Sequence, residues 1–174
     1  IIRAEAAAIL TRVALPTQRK TVVLMKQVQW GVAKLAIPQS AGVGVTENGM
    51  YTVTSEQDAC GVIATSVTDS AYKGLSVTVL TEQQMNNILT QAFNSTDGKL
   101  SNAKSTKVSF GSVKAYRTVG ILTTDEGAGD CLIFTYITGN KMDMICLLAY
   151  ENDTALKNMA NGLMVGGVTA SPQF

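Results

Sequence analysis

Residues 130–150 read DCLIFTYITGNKMDMICLLAY: two runs rich in aromatic, β-branched and other apolar residues, one on either side of Gly139 and Asn140. Side chains of this kind fit a pleated, buried surface, and a two-residue Gly/Asn segment between such runs marks a tight hairpin. The stretch predicts two antiparallel strands. Upstream, KVSFGSVKAYRTVGILTT (residues 107–124) has the same β texture and reaches the hairpin through the acidic, glycine-rich DEGAGD (125–130). A three-stranded antiparallel meander is expected. A turn centred on Gly139 and Asn140 also places Cys131 and Cys146 diagonally on neighbouring strands rather than directly opposite.

Moving outward, the period changes. In TEQQMNNILTQAFNS (81–95), Met85, Ile88, Leu89, Ala92 and Phe93 recur at helical spacing behind Thr81, a residue suited to an N-cap. NDTALKNMANGLMVGGV (152–168) has a second apolar face in Leu156, Met159, Ala160, Leu163 and Met164, and is expected to stop at Gly166 and Gly167. Between the first helix and the meander, TDGKLSNAKST (96–106) reads as a polar loop. Nearer the start, WGVAKLAIP (30–38), MYTVTS (50–55), ACGVIATSVTDS (59–70) and LSVTVLT (75–81) read as β-rich runs separated by turn residues. RAEAAAILTRVALP (3–16) reads as a helix over 3–14 that Pro16 can stop.

Strands in antiparallel runs, without strict alternation with helices, point to an α+β class: an antiparallel sheet with packed helices, preceded by a separate N-terminal helix. The expected organisation is a helix at 1–15, a connector at 16–27 and one α+β domain at 28–174.

The chain has 174 residues, of which 46% are hydrophobic, enough to bury a core. Fourteen basic residues against thirteen acidic ones leave a net charge of +1, which argues against nucleic acid as a partner. No apolar run reaches the length of a membrane span. Histidine is absent, which removes the usual general base and the commonest metal ligand. The three cysteines, Cys60, Cys131 and Cys146, have no CxxC spacing and read as small core residues. Asp125, Glu126 and Asp130 lack the order of a calcium loop and read as a charged hairpin tip. Glu47, Glu56, Asp58 and Asp69 sit in turn-like contexts that fix no carboxylate separation suited to glycoside hydrolysis. No phosphate-cradling glycine loop occurs. No catalytic residue, metal or cofactor is therefore expected. Lys104, Lys107, Lys114 and Arg117 belong to an acid-free basic run that is a candidate partner-binding face.

Two resemblances add to this reading. Ile1, Arg3, Ala4 and Glu5, followed by AAAILTRVA, resemble the end of an S-layer homology repeat, with Ile2 departing from the family's threonine. That resemblance implies a bacterial cell-surface location and a secondary cell-wall polymer as partner, with Arg3 and Glu5 as contact residues. It also implies that the chain begins where an anchoring region ends. The order WGVAKLAIP, GMYTV, EQQMNNILTQAF, KAYRTVGIL and NDTALKNMANGLMVGGV resembles the PsbP-like and Mog-type sandwich family, which consists largely of non-catalytic binding modules. Together they imply a non-enzymatic extracellular module for binding, adhesion or assembly, taking an unknown protein or small ligand. The alternative is a protein-binding adaptor acting through the sheet or the basic face.

Overall fold

A computed structural model describes residues 23–45, 50–94, 98–150 and 153–171. Eleven strands are described: β1 (Met25–Trp30), β2 (Ala33–Pro38), β3 (Gly42–Val45), β4 (Tyr51–Ser55), β5 (Cys60–Thr68), β6 (Lys99–Phe110), β7 (Val113–Thr124), β8 (Gly127–Thr138), β9 (Lys141–Ala149), β10 (Met164–Val165) and β11 (Val168–Thr169). Two α-helices accompany them, α1 (Glu82–Asn94) and α2 (Asp153–Gly162). The long strands form a seven-stranded antiparallel sheet in the order β3-β4-β5-β9-β8-β7-β6, and a smaller sheet runs β1-β2-β10-β11.

This corrects the expected class. In place of an α+β sheet with packed helices, the described residues form a predominantly β, two-sheet, sandwich-like structure. The N-terminal helix expected at 1–15 lies outside the described residues. The extra β structure comes from turns that sequence periodicity hides. Gly111, with φ of +59°, breaks 107–124 into the ends of β6 and β7, so the meander has four strands. The polar loop expected at 96–106 is the first half of β6 from Lys99 onward, with Leu100 and Ser105 buried and Lys99, Asn102 and Lys104 exposed. As the edge strand of the sheet, β6 accepts this polar composition on its solvent side. Gly31 turns β1 into β2, so Met25–Gln27, expected in the connector, belong to a strand. Gly166 and Gly167, both at positive φ, turn β10 into β11, so the second helix ends at Gly162 and the expected helical face loses Leu163 and Met164. LSVTVLT forms a 3-10 turn at Val77–Val79, where the Ser76 hydroxyl accepts from the Thr78 N–H, and no strand forms there.

The seven-stranded sheet separates two cores. One face carries Val62, Ala64, Leu132, Phe134, Ile145 and Leu147 against the smaller sheet and α2. The other carries Tyr116, Leu122, Cys131, Ile133, Cys146 and Leu148 against α1 through Met85, Leu89 and Phe93. Helix α1 is closed by a reciprocal capping box: the Gln84 N–H donates to Thr81 Oγ1 at 3.2 Å, and the Thr81 N–H donates to Gln84 Oε1 at 2.8 Å. Its apolar seam is narrower than expected, because Ile88 and Ala92 stay exposed. Asn86 Oδ1 accepts from the Ser105 N–H at 2.8 Å, and the Tyr116 hydroxyl donates to the Leu80 carbonyl at 2.7 Å. Both bonds tie the helical segment to the edge of the sheet.

Candidate functional site

The long, twisted sheet runs past the end of α1, and the helix-side face of β4, β5 and β9 is left partly uncovered there. A cavity of about 650 Å³ fills that space. Its walls are Ile63, Phe93, Leu122, Met144 and Leu148, with Thr52, Thr54 and Thr65 along the strand side. Strand alternation explains this set. Thr52 pairs with Ile63, Thr54 with Gly61, Thr65 with Met144 and Gly61 with Leu148, so all point to the same face. Gly61 lets β4 approach closely: a Cβ there would meet the Val53 carbonyl oxygen at 2.8 Å. At the far rim the Thr124 and Tyr150 hydroxyls are hydrogen-bonded at 2.9 Å, and Asp125 and Glu126 stand exposed at the β7–β8 turn. Apolar walls with a few polar groups at the rim suit a small, largely apolar ligand by desolvation.

The thiols divide between the two faces. Cys60 lies in the core facing the smaller sheet, whereas Cys131 and Cys146 share the helix-side core. Cys131 pairs in register with Leu148 and Cys146 with Ile133, which makes the two diagonal neighbours, as the hairpin turn implies. All three are free and buried. A hydrogen bond from the Cys146 thiol, together with a lesser one from the Gly120 backbone, outweighs burial and the Asp130 carboxylate and brings the Cys131 thiol down. The same contact, added to complete burial, raises Cys146. Burial, and then the Asp58 carboxylate, pushes Cys60 up to about 11.

Of the carboxylates weighed in the sequence, Glu47 lies outside the described residues and Glu56 is exposed at the β4–β5 turn. Asp58 is buried at the β4–β5 turn, where its Oδ2 accepts from the hydroxyls of Ser40 at 2.5 Å and Ser55 at 2.8 Å. Asp69 Oδ1 accepts from the Ala71 N–H at 2.9 Å and caps a 3-10 turn. Asp130 pairs with Ile121 and Ala149 inside the sheet, away from the turn that carries Asp125 and Glu126. Among the described residues no three His, Cys, Asp or Glu side chains gather to hold a metal. Tyr136 is buried beside its cross-strand partner Asp143, and burial, then that carboxylate, raises its phenol far above the ordinary value.

The basic run does not form one face. Lys104 pairs with Val119 and Arg117 with Thr106, on the side of the smaller sheet. Lys107 pairs with Tyr116 and Lys114 with Ser109, on the helix side. The period of two divides four cations that are close in sequence into two pairs on opposite faces. Arg3 and Glu5 lie outside the described residues. The cavity was missed in the sequence because its walls come from five separate elements; only the run of threonines alternating with apolar residues in β4 and β5 hinted at a half-covered face.

No family model matches the chain, and no curated protein does. Among solved structures, the chain is similar to the solution structure of cyanobacterial PsbP (CyanoP) from Synechocystis sp. PCC 6803, with a TM-score of 0.61 and 10% identity. The match covers 87% of this chain and 99% of that one. The fold is thus PsbP-like, in agreement with the second resemblance; nothing in the comparisons supports an S-layer homology segment or an extracellular location. Among the described residues no helix is long and apolar enough to cross a membrane.

Proposed function

We propose that this chain is a non-catalytic binding module of PsbP-like fold, and that its ligand is a small, largely apolar molecule held in the cavity between the end of α1 and strands β4, β5 and β9. The cavity itself carries this reading. At about 650 Å³ it falls within the range of small-molecule sites, and its walls are apolar side chains of the second core, left uncovered on one side. A non-catalytic role is supported by the lack of histidine and by the burial of every thiol. Binding through a single basic face is less well supported, because strand alternation parts Lys104 and Arg117 from Lys107 and Lys114. Cell-wall anchoring through Arg3 and Glu5 finds no support in the comparisons and has no place in this reading.

The test is titration of the full chain with an uncharged fluorescent probe, N-phenyl-1-naphthylamine. Saturable enhancement is expected, and Thr54→Trp, which places a large ring from an exposed strand position at the cavity wall, should weaken it at least tenfold. Absence of enhancement in the native protein, or equal binding by a folded Thr54→Trp variant, would overturn the reading.

A further inference from the structure

We propose that Cys131 and Cys146 are a redox-modifiable pair, which an oxidant of the peroxide class joins into a reversible disulfide behind the floor of the cavity. The geometry sets this pair apart. The two residues sit two positions out of register on adjacent strands of the same hairpin, face the same side of the sheet and are hydrogen-bonded through their thiols. Cys60 packs in the opposite core, so the sheet separates it from the pair, and although it borders the cavity, burial and the Asp58 carboxylate push its thiol up to about 11 and keep it protonated.

Cys131 and Cys146 are 1% and 0% exposed and neither borders the cavity, so only a molecule the size of hydrogen peroxide that passes the cavity wall can react with them. Met144 and Leu148, which flank Cys146 on its own face of β9, and Ile63, which pairs with it from β5, all line the cavity. The thiols therefore stand one side-chain layer behind its wall.

The asymmetry between the two thiols assigns their roles. Cys131 accepts the hydrogen bond and has the lowered thiol, so it is the nucleophile. Its thiolate attacks one peroxide oxygen, the O–O bond breaks, and the departing hydroxide takes up the thiol proton to leave as water, giving a sulfenic acid on Cys131. The Cys146 sulfur then attacks the Cys131 sulfur. The S–O bond breaks, and the hydroxyl leaves with the Cys146 proton as a second water. In sum, two thiols and one hydrogen peroxide give one disulfide and two waters. The product is neutral, as an apolar core requires. Diagonal strand neighbours start farther apart than ideal disulfide geometry, so the bond draws β8 and β9 together and is of the readily reduced kind.

The test treats the folded full chain with hydrogen peroxide, quenches with catalase, unfolds the protein and alkylates it for mass spectrometry. The expected result is a fall from three alkylatable thiols to one, that one being Cys60, with a Cys131–Cys146 cross-linked peptide that dithiothreitol releases. In Cys146→Ala the disulfide is lost and dimedone captures a sulfenic acid on Cys131, whereas Cys131→Ala leaves Cys146 as a thiol. Three alkylatable thiols after treatment of the wild-type protein, or a disulfide that includes Cys60, would overturn the proposal. The wild-type peptide map decides this even if neither variant folds.

Discussion

Removal of a single oxygen atom in Tyr116→Phe tests how the helical segment is held to the sheet. Tyr116 is fully buried in β7, and its hydroxyl donates to the carbonyl of Leu80, 36 positions earlier and just ahead of α1. The bond is 2.7 Å long and spans the second core, so it joins the entry of α1 to the sheet edge. Phenylalanine keeps the ring and its packing but leaves the Leu80 carbonyl without this donor. A net hydrogen bond contributes about 1 kcal/mol, and a partly buried acceptor left unpaired adds to the loss, so about 1–2 kcal/mol of stability should disappear. For a chain of this length that corresponds to a fall in Tm of about 3–6 °C. Urea unfolding followed by circular dichroism is the assay: the midpoint should fall with no change in slope, because the surface exposed on unfolding is the same. A midpoint unchanged to within about 0.3 kcal/mol would mean that water replaces the tyrosine at no cost and that this bond does not hold α1 in place.

Gly162 ends α2 against β2, where an added Cβ would overlap the Ala36 methyl. Gly162→Ala should therefore cost about 1–3 kcal/mol by overpacking, and Ala36→Gly in the same chain should restore much of it; a double variant no more stable than the single one would rule out this contact as the cause. The raised Cys60 thiol predicts a pH effect: the folded state retains its proton up to about 11 while the unfolded state releases it near the ordinary value of 9.0. This contribution is complete below pH 9 and is lost as pH rises toward 11, up to about 2–3 kcal/mol. Urea midpoints of the wild type should fall more steeply between pH 8 and 10.5 than those of Cys60→Ala, and parallel slopes would contradict the assignment.

By itself the sequence determined what short-range rules govern. Gly139 and Asn140 between two β-rich runs dictated the β8–β9 hairpin and, through it, the diagonal placement of Cys131 and Cys146. Thr81, an N-cap residue ahead of the helical period, marked where α1 begins, and the structure added Gln84 as its capping partner. The lack of histidine narrowed the chemistry before any fold was considered. Tertiary structure decided the rest, because pairing between distant segments gives no local signal. Lys34 pairs with Met164, 130 positions away, and only that contact makes a second sheet out of β1, β2 and two strands of two residues each. The polar stretch after residue 98 became β6 because β7 offered a free edge, against its own composition. The same long-range pairing set Cys60 on one face and its fellow cysteines on the other, divided the four basic residues, and left the end of α1 short of the sheet. Periodicity shows that a strand has two faces; only the partners on each side determine which face is buried, and where a face is left open to hold something else.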